Sequence, residues 1–230
     1  MIEVEYGDGL YRVPVQERGR CCFEGRVAVD VVRASERLGR WHERWLAEGS
    51  PEFRAESDTA RSLLAALGDA LEPFTRGEGG RWVATSVIHR DTRDGSKGAA
   101  KTVHRDLCDT AVANLSDVRA FVNAWIPLRP VHSHPLALLD PNTCDPRTQA
   151  APYRAVSAAD RSGLNYDASH AWFWCPRLGP ADALLWRSDL VYHASFDLAG
   201  QDDFRRSCDV RFHYVASGEE EESSRRGGGS

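Results

Sequence analysis

The sequence predicts an α+β protein in which N-terminal helices buttress a jelly-roll-like double sheet. Two patterns predict it. Residues 27–46 and 58–71 carry apolar side chains at steps of three and four, the spacing of amphipathic helices. From Arg81 onward that spacing gives way to about eight short β-type runs separated by Gly, Pro, Asp and Asn. A chain of 230 residues, 42% hydrophobic and 27% charged, lies in the range of one ordinary globular domain, so both patterns are expected to share one core.

Taken in order, the first helix sets Val27, Val31, Ala34, Leu38, Trp41 and Trp45 on one stripe, and the second sets Leu63, Leu64, Leu67 and Leu71. Gly49-Ser50-Pro51 breaks the chain between them. The β-type runs are 82–88, 101–104, 120–128, 136–139, 171–175, 183–186, 190–193 and 206–215. A stretch at about 141–169, rich in Asp, Pro, Arg, Ala and Ser and holding Tyr153 and Tyr166, predicts a lid loop over the mouth of the sheets. The low-complexity, charged end of the chain predicts a disordered tail over 216–230.

Composition narrows the function classes. With 29 basic and 34 acidic residues the net charge is −5, which gives no electrostatic footprint for nucleic acid or an anionic membrane. No apolar run reaches the roughly 20 residues of a membrane span. The opening MIEVEYGDGLYRVPV lacks the basic and apolar regions of a signal peptide, so a cytoplasmic location is expected. The six cysteines are then expected as free, mostly buried thiols, and without a Cys-x-x-Cys pair a zinc knuckle is unsupported.

Two His-x-Asp triplets carry the chemistry: His89-Arg90-Asp91 and His104-Arg105-Asp106. On a strand, residues two apart share a face, so either triplet can aim an imidazole and a carboxylate at one metal ion. His193 can complete a two-histidine, one-carboxylate facial triad; a satisfied, half-buried histidine is the alternative for it. In the last strand, alternation puts Arg205, Ser207, Asp209 and Arg211 on one face and Arg206, Cys208, Val210, Phe212 and Tyr214 on the other. The second set is the more apolar and is expected to pack on the helices. Arg205 with Ser207 then reads as a carboxylate clamp, because a planar guanidinium grips a carboxylate through two parallel hydrogen bonds. The alternative is a solvated edge strand.

From about residue 100 to 215 the chain resembles the iron(II)/2-oxoglutarate-dependent oxygenases, and within them the phytanoyl-CoA-dioxygenase-like small-molecule hydroxylases. The pieces that carry the resemblance are His104-Arg105-Asp106, the run from Phe121 to Leu128, His134-Pro135-Leu136-Ala137-Leu138-Leu139, the run from Gly179 to Trp186, Tyr192-His193-Ala194-Ser195, and Arg205-x-Ser207, in the family's order. The resemblance implies a double-stranded β-helix core, jelly-roll and cupin-like. It implies Fe(II) on His104, Asp106 and His193, with His89 and Asp91 as solvated charges. It also implies 2-oxoglutarate held through its far carboxylate by Arg205 and Ser207, with Asn123 placed among the co-substrate residues, and O2 as oxidant. Arg206 is the register alternative to Arg205.

The implied reaction yields succinate, carbon dioxide and an oxidised small-molecule substrate. Because Asp106 is a carboxylate rather than Gly or Ala, hydroxylation, or a desaturation or ring closure, is implied over halogenation. Arg211, Trp125, His134, Tyr153 and Tyr166 are the expected substrate residues, with an ordinary core or lid role as the alternative for each. The domain reading is a single oxygenase domain over 1–215, with a helical buttress at about 1–78 and a jelly-roll core at about 79–215. Oligomeric state stays open. The alternative functions are a cupin-like metal enzyme that does not use 2-oxoglutarate and a non-catalytic jelly-roll binding module. His104-Arg105-Asp106-Leu107 is shared with kinase catalytic loops, but Ala111 stands where those need Asn. His42-Glu43 has Leu46 where a zincin needs its second His.

Overall fold

A computed structural model describes residues 1–18, 29–33, 58–75, 79–93, 99–106, 118–152, 161–198 and 203–216. The chain opens with side chains of period two: Ile2, Val4 and Tyr6 are buried while Glu3 and Glu5 are exposed. That is strand β1 (Ile2–Tyr6), which turns at Gly7-Asp8 and returns as β2 (Gly9–Val13) with Ile2 opposite Val13. Gly7 leaves no room for a side chain, since a Cβ there would come 2.6 Å from the Cβ of Ala151. β3 (Val15–Glu17) follows directly.

The expected helix over 27–46 is not what its first residues form. Val29–Arg33 is strand β4, because three valines in five residues crowd a helical turn and suit a sheet. Residues 34–57, the rest of that expectation, lie outside the described residues. The second expected helix is present as α1 (Asp58–Leu71), burying Ala60, Leu63, Leu67 and Leu71 along one stripe. The described part of the expected helical buttress is thus four strands and one helix followed by a 3-10 turn at Glu72–Phe74.

The remaining strands are β5 (Gly80–Asp91), β6 (His104–Asp106), β7 (Val118–Pro127), β8 (Leu136–Leu139), β9 (Ala150–Pro152), β10 (Arg161–Leu164), β11 (Trp172–Trp174), β12 (Asp182–Arg187), β13 (His193–Ser195) and β14 (Arg206–Ala216). They form, with β3 and β4, a seven-stranded sheet in the order β3-β11-β8-β13-β6-β10-β9 and a five-stranded sheet in the order β4-β12-β7-β14-β5. Inward residues of the two sheets meet in one apolar layer: Trp125, Leu184 and Trp186 from the five-stranded sheet, Leu136, Leu138 and Phe173 from the seven-stranded one. The outer face of the five-stranded sheet (Val122, Ala124, Ala183, Leu185, Cys208, Val210, Phe212) packs on α1. The outer face of the seven-stranded sheet (Ala137, Leu139, Trp172, Tyr192, Ala194) is covered by Ile2, Val4, Tyr6 and Val13 of the β1–β2 hairpin. The result is a mostly β, jelly-roll-like sandwich with a different cover on each side.

The stretch 141–169, expected as a lid loop, is built into this frame. It holds a turn at Pro141–Thr143, the short helix α2 (Pro146–Gln149), and strands β9 and β10, with β10 paired to β6. Its polar residues are turn and cap residues: Asp140 accepts from the Asn142 backbone N–H and Asp145 from that of Arg147. Residues 153–160 of this stretch, and 217–230 of the expected tail, lie outside the described residues. No helix among the described residues is long and apolar enough to cross a membrane. Cys144, Cys175 and Cys208 are free thiols.

Candidate metal centre and the cleft around it

β6 and β13 meet through one cross-strand pair, His104 opposite His193, which brings their ring centroids to 4.3 Å. Asp106 lies two residues along β6 on the same inner face. All three are buried, and their ligand atoms lie within 4.8 Å of one another. The His104 Nδ1 is 2.7 Å from the Thr102 carbonyl and the His193 Nδ1 3.5 Å from that of Val191. Those carbonyls put the proton on Nδ1 and the lone pair on Nε2, the arrangement in which an imidazole ligates metal. Two imidazole nitrogens and one carboxylate oxygen suit a divalent first-row metal with positions to spare.

The five-stranded sheet supplies the groups that orient Asp106. Asn123 on β7 and Arg211 on β14 are directly opposite each other. Asn123 Nδ2 donates to Asp106 Oδ2 at 2.6 Å, and Arg211 Nη2 donates to Oδ1 at 3.3 Å. Arg211 and Asn123, expected at substrate and co-substrate, therefore meet the Asp106 carboxylate of the candidate metal centre.

Arg205 is 3% exposed and makes no ion pair among the described residues. Its Nη1 donates to the His134 carbonyl at 2.5 Å and to Ser195 Oγ at 3.2 Å; its guanidinium sits 5.4 Å from the Trp125 ring centre; its Nε has no hydrogen-bond partner. Burial pulls its pKa down to about 10, with Asp209 opposing and Arg90 reinforcing, so it is cationic at neutral pH. The Ser207 hydroxyl is likewise buried without a partner among the described residues, although it does not line the cleft. A buried cation left open to the cleft is what an anion would satisfy. Arg206 points the other way, 3.5 Å from Asp91.

His134 contributes its backbone more than its ring. Its φ of 48° is left-handed, and this turns its carbonyl toward Arg205 and Ser195. Its imidazole lies 3.0 Å from Asp197. Trp125 lies behind Arg205. Tyr166 stacks on Tyr11 at 4.2 Å and does not line the cleft, and Tyr153 is outside the described residues.

The cleft is also lined by Ile88, Arg90, Ala100, Leu136, Trp186 and Asp209, which reading the sequence did not single out as site residues. Arg90 and Asp209 form an ion pair at 3.1 Å. Their placement follows from a bulge: Arg211 pairs with Ser86 but Phe212 with Ala84, so Thr85 is an extra residue in β5. Before it Trp82 and Ala84 face α1; after it Ile88 and Arg90 face the cleft, while His89 lies opposite Cys208, on the helix side. Asp91 is held by Arg93, which lowers its pKa to about 2. The first His-x-Asp triplet is thus kept out of the site by one residue of phase.

Residues 76–214 match the family described as the oxidoreductase/YMDC permease-like domain (YDMC), and the chain belongs to this family. The match takes in His104, Asp106 and His193 and the strands of both sheets except the edge strands β3 and β4. A curated relative, the alpha-ketoglutarate-dependent dioxygenase tstK of Talaromyces stipitatus, is 27% identical over 132 residues, covering 50% of this chain and 47% of that protein. The chain therefore spans about half the length of that relative. Among solved structures, the iron and alpha-ketoglutarate-dependent endoperoxidase NvfI superposes with a TM-score of 0.59 at 18% identity, over 83% of this chain and 79% of that one. A second structure of the same enzyme gives a TM-score of 0.58 over the same shares. The likeness to NvfI is one of fold.

Proposed function

We propose that this chain is an Fe(II)/2-oxoglutarate-dependent oxygenase of the phytanoyl-CoA-dioxygenase-like kind, using O2 to hydroxylate a C–H bond of a small molecule. The observation that carries the reading is the pairing of a two-histidine, one-carboxylate group, its ligand atoms within 4.8 Å, with a buried arginine in the same cleft that lacks an anionic partner among the described residues. The tstK relative and the NvfI fold support it.

His104, Asp106 and His193 would hold the iron, and Arg205 would bind the far carboxylate of 2-oxoglutarate. Iron, once bound there, supplies the chemistry by which 2-oxoglutarate and O2 become succinate, carbon dioxide and oxidised product. Asn123 and Arg211 keep the Asp106 carboxylate from rotating. Ile88, Leu136 and Trp186 line the cleft with apolar surface, excluding water and favouring a substrate with a hydrocarbon portion.

Succinate release tests the proposal. Purified protein given Fe(II), ascorbate, O2 and 2-oxoglutarate should form succinate and carbon dioxide in equal amounts, slowly without substrate, and the Asp106→Ala variant should form neither. A wild-type protein that binds no 2-oxoglutarate and releases no succinate would overturn it in favour of a metal enzyme without this co-substrate, or of a binding module.

A further inference from the structure

The ion pair of Arg90 and Asp209 stands in the cleft beside Arg205, its side chains 20% and 21% exposed. Asp209 shares the inner face of the last strand with Arg205, and Arg90 reaches it from the neighbouring strand, Nε to Oδ2 at 3.1 Å. The cleft therefore holds an arginine with no counter-charge among the described residues and, close by, a carboxylate of its own. The charges of both Asp209 and Arg90 are felt at Arg205, in opposite directions. A buried cation without a partner is costly, and the cheapest remedy inside the protein is Asp209, directly or through a bridging water. Arg90 blocks that remedy by engaging Asp209 in a charge-assisted hydrogen bond.

We propose that Arg90 is a positioning residue for co-substrate binding: by neutralising Asp209, it keeps the cleft's own carboxylate from pairing with Arg205 or repelling a dianion, and so reserves Arg205 for 2-oxoglutarate. This rests on the function proposed above. It assigns Arg90 an effect through Asp209 and not through contact with the ligand. The pair therefore has a signature that neither a structural staple nor a direct ligand contact shares: removing one partner harms binding and removing both restores it.

The experiment is calorimetric titration of 2-oxoglutarate into the full chain loaded anaerobically with Fe(II). Arg90→Met should raise Kd about tenfold, the value expected if Asp209 leaves about one-tenth of molecules with Arg205 available. Asp209→Asn should bind as tightly as wild type or a few-fold tighter, and Arg90→Met/Asp209→Asn should return to within about twofold of Asp209→Asn. Arg90→Lys, which keeps the counter-charge, should stay near wild type, and melting temperatures establish that each variant is folded. If the double variant binds as weakly as Arg90→Met, Arg90 touches the ligand itself and the proposal fails. If Asp209→Asn weakens binding as Arg90→Met does, the pair is a structural staple and the proposal fails. A wild-type protein with no saturable 2-oxoglutarate binding sinks the oxygenase reading itself; binding by the wild type with the wrong double-variant pattern sinks the Arg90 assignment alone.

Discussion

Replacing Arg205 with methionine keeps much of the side chain's volume and removes its charge, so it tests the carboxylate clamp with little change in packing. The guanidinium is buried, and one of its nitrogens is already engaged by the His134 carbonyl and Ser195 Oγ. The edge bearing Nε remains for a ligand, room for one pair of parallel hydrogen bonds. Losing one side of a buried, charge-assisted pair costs about 2–5 kcal/mol. With a single edge available the lower part of that range applies: about 2–3 kcal/mol, or roughly 30- to 150-fold in affinity. The assay is the KM for 2-oxoglutarate from initial rates of succinate formation, with Arg206→Ala as control. Arg206 faces Asp91 and is 36% exposed, so its loss should change KM less than about threefold. Only the cationic form of Arg205 binds a carboxylate, so wild-type affinity should be level through neutral pH and fall as pH rises through about 10. A larger effect from Arg206→Ala, or an unchanged KM in Arg205→Met, would refute the assigned register.

Four further outcomes are expected. Alanine at His104, Asp106 or His193 should abolish stoichiometric metal binding in equilibrium dialysis with little change in melting temperature, whereas His89→Ala should bind metal normally; metal loss in the His89 variant would count against the chosen triplet. Asn123→Ala and Arg211→Leu should each weaken metal binding about 10- to 100-fold, because each frees one oxygen of Asp106. At His134, whose backbone is left-handed, valine should cost about 1–2 kcal/mol in chemical denaturation and loosen 2-oxoglutarate binding, while glycine should hold stability near wild type. Leu67→Ala, at a fully buried position on α1, should lower unfolding free energy by about 2–5 kcal/mol without altering KM; a negligible loss would mean that α1 does not seal the outer sheet face.

The candidate site and its sheet were legible where chemistry and alternation agree. His104 and Asp106 share a strand face, and on β14 the apolar set Cys208, Val210 and Phe212 does lie against the helix, which sends Arg205 and Arg211 inward. The N-terminal strands carried a signal as plain: Ile2, Val4 and Tyr6 alternate with acidic residues before Gly7-Asp8-Gly9, the pattern of a half-buried hairpin. At 27–46 the helical spacing masked a run of valines that sheet pairing claimed. Arg90 was illegible for a different reason, since strict alternation counted from Trp82 and Ala84 places it toward α1, and only the extra residue at Thr85 reverses that. The polar composition of 141–169 reads as loop because caps and turns use the same residues as lids.

That extra residue also divides the work of β5. The half-strand before Thr85 answers to helix packing, so substitutions at Trp82 or Ala84 are read out as stability. The half after it lines the cleft, so under the proposed function substitutions at Ile88 or Arg90 would be read out as affinity. The two sets of demands can be adjusted separately within a single strand. Deleting Thr85 would leave both phases as they are, since Ser86 would then follow Ala84 in regular alternation with Arg90 still toward the cleft; taking Thr85 into the paired ladder would instead merge them, turning Arg90 toward the leucines of α1 and His89 toward the cleft. The cleft would then exchange a guanidinium for an imidazole with no residue altered, so the charge of this cleft depends on the bulge as much as on residue identity.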